Sequence, residues 1–190
     1  METGPTWSRL FDTASSQEGY FTTEQAATAG YSPQLLVKHV LAGRIMRTRR
    51  GIYRLVHFPA GEHEDLVTVW LWSEREGVLS HETALMLHQL SDVMPAHVHL
   101  SLPEAWRRRR FRVPPGVVLH HADVVDGDRV WVGPVPVTSP KRTLLDCADA
   151  YVSPETIERA IDDAARRGIV SRKDIAEVEQ ARGRASVGVA

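Results

Sequence analysis

Two helix-start signals near the N-terminus constrain the fold more than any other feature of the sequence. Thr22 and Gln25 have the spacing of a capping box, in which the two residues satisfy each other's backbone N–H groups. Ser32-Pro33 predicts a second start, because proline at the first helical position sacrifices no hydrogen bond. A glycine follows each predicted helix and ends it. Two short helices joined by a tight turn are therefore expected over residues 22–42.

The hydrophobic period changes after this helix pair from about 3.6 residues to 2. Ile45–Thr48 and Ile52–Leu55 alternate like two short strands around the turn Arg49-Arg50-Gly51. With a first helix predicted over residues 6–16, the elements follow the order of a winged helix-turn-helix. The sequence therefore predicts such a DNA-binding domain over residues 1–57.

Charge is distributed unevenly along the chain. The 190 residues carry a net charge of −1, yet residues 1–57 contain seven basic and four acidic residues, which leaves −4 for the remainder. Between Ser32 and Arg54 there are six basic residues and no acidic one. A basic module within a neutral chain is typical of a nucleic-acid-binding protein.

The second capped helix, Ser32 to Ala42, is the candidate recognition helix, because the major groove of B-DNA admits one helix. Leu36, Val37, Val40 and Leu41 are its expected buried stripe, which leaves Gln34, Lys38 and His39 facing outward. Helix starts offer N–H groups to phosphate, and arginines of the hairpin can bracket the backbone or enter the minor groove. The predicted DNA-binding residues are Thr22, Thr23, Ser32, Gln34, Lys38, Arg44, Arg47, Arg49 and Arg50. The alternative is a solvated basic hairpin on an unrelated small helical domain.

Residues 58–62 interrupt the periodicity and are interpreted as a linker. Residues 63–190 mix helix and strand signals, so the predicted fold class is α+β, a winged helix-turn-helix followed by a mixed α+β C-terminal domain. Serine caps open its predicted helices at residues 80, 139, 153 and 171. The predicted strands cover residues 97–101, 107–112, 117–121, 130–132 and 135–137.

Composition excludes several classes of protein. The hydrophobic fraction of 43% and the charged fraction of 25% are ordinary for a globular chain. No window approaches ~20 uninterrupted apolar residues, so no membrane association is expected. One cysteine, Cys147, cannot form an internal disulfide, and the N-terminus lacks the pattern of a secretory signal. We therefore expect the protein in a reducing cytoplasm.

Several segments of the chain carry a family resemblance. Within the predicted DNA-binding domain they are Phe21–Ala27, Gly30–Ser32, Leu41–Ile45 and Arg49–Leu55, and further along the chain they are Leu79–Leu85, Val98–Pro103 and Val137–Asp146. In these segments the chain resembles the AbiEi-type antitoxins of bacterial type IV toxin–antitoxin systems. The resemblance implies that the winged helix represses its own operon and that the C-terminal domain neutralises a nucleotidyltransferase toxin encoded alongside. The implied partners are thus operator DNA and the toxin.

Two other functions stay open at this point, a nuclease docked by its winged helix and a plain transcription regulator without a toxin. Some larger relatives append a nuclease domain after the region of resemblance, and this chain ends before it, which predicts a protein without catalytic activity. Asp123, Asp126 and Asp128 are close in sequence, but Gly127 indicates a turn rather than a carboxylate site. The sequence contains no exposed heptad pattern, so it does not indicate the oligomeric state.

Six of the nine histidines lie between His81 and His121. His97 and His99 share one strand face and could bind a metal, but no carboxylate or thiolate completes the set. We therefore expect the histidines to be packed or exposed singly, and we predict neither a metal nor a cofactor.

The run Arg107–Arg110 has two open interpretations. Its charges protect an edge strand from pairing with other sheets, or they contact phosphate or an acidic partner.

Overall fold

The computed structural model describes residues 5–92, 94–150 and 152–187. Contacts divide the chain into two compact units, Met1–Arg75 with Gly133–Val135, and Glu76–Val132 with Pro136–Ala190. The predicted α+β class is confirmed, with helices and two sheets and an N-terminal arrangement consistent with a winged helix. Within the described residues no helix is long and apolar enough to cross a membrane.

The first unit is a helical array followed by a hairpin and a further helix. Its elements are α1 (Trp7–Ser15), β1 (Tyr20–Thr22), α2 (Thr23–Thr28), α3 (Pro33–Leu41), β2 (Ile45–Arg49), β3 (Ile52–Leu55) and α4 (Glu64–Trp72). Both predicted caps are confirmed. Thr22 Oγ1 accepts from the backbone N of Gln25 at 3.1 Å, and Ser32 Oγ accepts from that of Leu35 at 3.2 Å. These bonds fix where α2 and α3 begin.

Strand β1, which the sequence did not predict, completes a three-stranded antiparallel sheet in the order β1-β3-β2. Leu10, Phe21, Leu36 and Ile45 join the helices to this sheet in one core, and each is at most 1% exposed. Burial of side chains of this size contributes about 1.5–3 kcal/mol each to folding. The core therefore holds α3 and the hairpin in one fixed relation.

Helix α4 is tied to the first unit through Glu64. The Tyr20 hydroxyl donates to Glu64 Oε2 at 3.1 Å, and Arg54 Nη2 donates to Glu64 Oε1 at 2.7 Å. Arg54 also donates to the carbonyl oxygens of Phe58 and Pro59, inside the predicted linker. Contacts between Cα atoms group α4 with the elements that precede it. The linker at residues 58–62 as a domain boundary stays a prediction.

The second unit is built on a five-stranded sheet in the order β6-β5-β4-β8-β7. Its elements are β4 (Val78–Leu79), α5 (His81–Leu87), β5 (Val98–Leu102), β6 (Val117–His121), β7 (Arg129–Val132), β8 (Val135–Thr138), α6 (Pro140–Asp149), α7 (Pro154–Arg166) and α8 (Arg172–Val187). Ser139, Ser153 and Ser171 cap their helices as predicted. The predicted cap at Ser80 is wrong, because its side chain makes no cap hydrogen bond and contacts His81 instead. The thiol of Cys147 is buried in the core formed by the helices of this unit.

The predicted strand at residues 107–112 is wrong. A short 3₁₀ turn over Glu104–Trp106 follows β5, and the next strand begins at Val117. The guanidinium of Arg107 binds both carboxylate oxygens of Glu104, and that of Arg109 lies 4.1 Å from the ring centroid of Trp106. These local contacts stabilise a turn instead of an extended edge.

Candidate nucleic-acid interface

Helix α3 presents one side to the core and the opposite side to solvent. Leu36 is 1% exposed, and Leu35, His39 and Val40 on the same side are partly buried. The exposed side consists of Gln34, Val37, Lys38 and Leu41. Because successive helical residues turn by about 100°, these four side chains form one continuous arc.

His39 anchors the inner side of α3, so the expectation that it faces outward is wrong. Its ring stacks on Trp7 with 5.9 Å between centroids and meets Tyr31 edge-on at 5.4 Å. Burial, aided by the charge of Arg44, lowers the pKa of His39, so the ring is neutral at pH 7. These aromatic contacts fix the rotation of α3 about its axis and hence which side chains reach solvent.

Val37 and Leu41 were expected in the buried stripe, and that prediction is also wrong, because they are 57% and 83% exposed. The helix is nine residues long and the core covers only one of its sides. Their exposure gives the outer side of α3 two apolar groups next to the polar groups of Gln34 and Lys38. Apolar side chains can contact the thymine methyl group, while glutamine and lysine hydrogen-bond to base edges.

The hairpin β2–β3, here called the wing, carries exposed arginines at its tip. Every residue of β2 after Ile45 is exposed. Gly51 adopts a φ of +76°, which glycine reaches without strain, and closes the turn. The Gly51 carbonyl accepts from the backbone N of Thr23 at 2.9 Å and from Thr23 Oγ1 at 3.3 Å. The wing tip is thereby held at the start of α2.

Five exposed cations lie on α3, the wing and the segment that joins them: Lys38, Arg44, Arg47, Arg49 and Arg50. Among the residues that the structure describes, none of the five forms an ion pair with a carboxylate. Arg54, the sixth basic residue of this stretch, is instead bound to Glu64. Cations without carboxylate partners keep their charge available to an external anion such as phosphate.

The three predicted cap residues make hydrogen bonds inside the protein. Thr22 caps α2, Thr23 holds the Gly51 carbonyl, and Ser32 caps α3. A phosphate contact through these hydroxyls would compete with those bonds. Their role in DNA binding stays a prediction, while their contacts position α2, the wing tip and α3.

The acidic residues considered for a nuclease do not converge. Asp128 lies 3.4 Å from Arg142, and Asp123 accepts a hydrogen bond from the backbone of Glu104 at 3.0 Å.

In the described part of the chain, the only cluster of three potential metal ligands consists of His81, His99 and His120. The expectation of single histidines is therefore wrong for these three, and His97 is exposed outside the cluster.

The order of helices and strands in the first unit is consistent with a winged helix, and its exposed cations form a basic surface. Residues 8–56 match the family model described as "Transcriptional regulator, AbiEi antitoxin". The resemblance predicted from the sequence is confirmed over this segment. The family description names no catalytic activity.

A crystal structure of the RV2827C protein from Mycobacterium tuberculosis is similar to this chain at 14% sequence identity and a TM-score of 0.48. The similarity covers 94% of this chain and 82% of that one. No curated protein sequence matches the chain at a significant level.

Proposed function

We propose that this protein is an antitoxin of a type IV toxin–antitoxin system that binds operator DNA and represses its own operon. One observation carries the proposal. The outer side of α3 is exposed, and five exposed cations lie on the helix, on the wing and between them, without carboxylate partners among the described residues. A helix that is positioned by packing can enter the major groove, which is about 12 Å wide. The family match over residues 8–56 supports the same role. The protein would act in the cytoplasm, where its operator lies.

The contacts with DNA divide into base reading and backbone binding. Gln34 suits an adenine edge and Lys38 a guanine edge, and Val37 and Leu41 suit thymine methyl groups. The arginines at positions 44, 47, 49 and 50 bind phosphates or enter the minor groove. Phosphate contacts set the overall affinity, whereas the outer side of α3 sets the sequence preference.

The second unit is the proposed neutralising module for a nucleotidyltransferase toxin encoded alongside. The three segments that carry the resemblance in this part of the chain are Leu79–Leu85, Val98–Pro103 and Val137–Asp146. They contribute β4 with α5, β5, and β8 with α6, and β4 pairs with both β5 and β8. Segments separated in sequence thus form one contiguous part of the sheet, which supports a shared function.

Replacing Gln34 or Lys38 with alanine tests the base-reading role. Each substitution is expected to lower the preference for operator over scrambled DNA by about 1–3 kcal/mol, because each removes contacts to particular base edges. Fluorescence anisotropy with a duplex from the region upstream of the gene and with a scrambled duplex measures the ratio. Gln180→Ala and Lys173→Ala, at exposed positions of α8, are the matched controls. Equal losses on both duplexes would assign Gln34 and Lys38 to the DNA backbone.

A further inference from the structure

Three histidines from separate elements converge in the second unit. His81 is the first residue of α5, His99 lies on β5 and His120 lies on β6. Nδ1 of His99 and Nε2 of His120 are 3.0 Å apart, and the rings of His81 and His120 stack with 3.5 Å between centroids. One ring nitrogen from each of the three lies within 4.8 Å of the other two.

The strand register explains why two of these rings meet. Strands β5 and β6 are parallel, and Ser101 pairs with His120. Because alternate residues of a strand point to the same side, His99 and Ser101 share a face, and His120 lies beside them on that face. His81 reaches the same place from the junction of β4 and α5, where it adopts a φ of +53°. Residues other than glycine rarely adopt this left-handed conformation, and such residues concentrate at functional sites.

We propose that His81, His99 and His120 form a binding site for a divalent transition-metal cation, with zinc as the best match. Zinc binds imidazole nitrogens at about 2.0–2.1 Å in tetrahedral geometry, which places ligand nitrogens about 3.4 Å apart. The observed separations are at most 4.8 Å, and the stacked rings of His81 and His120 would tilt apart to point one nitrogen each at a common ion. Three protein ligands leave a fourth position for water or another group.

Outer hydrogen-bond partners already orient two of the rings. Glu82 Oε2 lies 3.3 Å from Nε2 of His99, while the other nitrogen of that ring faces His120. Ser80 Oγ lies 2.9 Å from Nδ1 of His81 and accepts a hydrogen bond from Ser101 Oγ at 2.8 Å. A metal-binding histidine usually donates its second ring N–H to such a partner, which leaves the first nitrogen for the metal.

Titration of the full chain with zinc, after treatment with a chelator, tests the proposal. Isothermal titration calorimetry is expected to show one zinc ion bound per chain, and cobalt in its place should give the visible absorption of tetrahedral coordination. His99→Ala and His120→Ala should each weaken zinc binding by more than about 100-fold, and Glu82→Gln by about 10–100-fold, the range for an outer partner. His97→Ala, an exposed histidine next to the cluster, should leave zinc affinity unchanged.

Circular dichroism of each variant establishes that it is folded before its affinity is compared. The wild-type stoichiometry and the cobalt spectrum test the site even where a variant fails to fold. Absence of zinc binding to the wild-type chain at micromolar concentrations would overturn the proposal. So would zinc binding that His99→Ala and His120→Ala leave intact, or that His97→Ala lowers equally. None of these outcomes bears on operator binding, which is measured separately.

Discussion

Replacing Arg47, Arg49 and Arg50 together with alanine is expected to weaken operator binding and to flatten its salt dependence. Each neutralised phosphate contributes about 0.9 to the slope of log affinity against log salt, so three lost contacts reduce the slope by about 2.7. The drop in affinity between 50 and 200 mM salt should then be about 40-fold smaller than for the wild-type chain. Anisotropy titrations at several salt concentrations measure both slopes. The three side chains are exposed, so the fold should be retained.

A variant with the same change in charge at another place distinguishes the effect of the wing arginines on the salt dependence from the effect of net charge. Arg129→Ala, Arg172→Ala and Lys173→Ala remove three exposed basic residues of the second unit. The wild-type slope is expected to persist in this control. Equal flattening in the two triple variants would show that total charge, and not the wing, governs affinity.

The wing triple variant is also expected to derepress the promoter while still protecting cells from the toxin. Arg47, Arg49 and Arg50 contribute to neither core, so the second unit should keep its structure and its proposed neutralising role. A promoter reporter measures repression, and survival after toxin induction measures protection in the same strain. Loss of both functions at wild-type protein levels would show that neutralisation depends on DNA binding. That result would contradict the proposal that the two units carry separate functions.

This comparison requires the full chain instead of a fragment that begins after the predicted linker. A cut near Gly61 would separate Glu64 from its partners Tyr20 and Arg54. It would also remove the packing of α4 against β1 and β3. A lack of protection by such a fragment could reflect misfolding alone.

The parts of the fold that sequence reasoning predicted are those with local causes. Hydrogen bonds from Thr22 and Ser32 to the backbone three residues later determine where α2 and α3 begin, and both partners are adjacent in sequence. The same holds for the serine-proline starts of α6 and α7. The wing was predicted because its two strands and its turn are continuous in the chain.

The parts that were missed depend on contacts between distant residues. Strand β1 has three residues and exists because it pairs with β3, about 30 residues later. Val37 and Leu41 have helical apolar spacing like that of Leu36, and only the position of the core distinguishes them. His99 and His120 meet through a parallel strand pair whose register no local pattern specifies. Residue type alone therefore suggested separate histidines.

Protection of guanine N7 from methylation across the operator tests the central claim, that α3 lies in the major groove. N7 is exposed there, so a helix in the groove shields it. We expect protected guanines with the wild-type chain and loss of protection at particular guanines with Lys38→Ala. The wing triple variant should keep the wild-type pattern once enough protein is added to saturate the DNA. Saturated operator with no protected guanine N7 would contradict the account and place α3 outside the major groove.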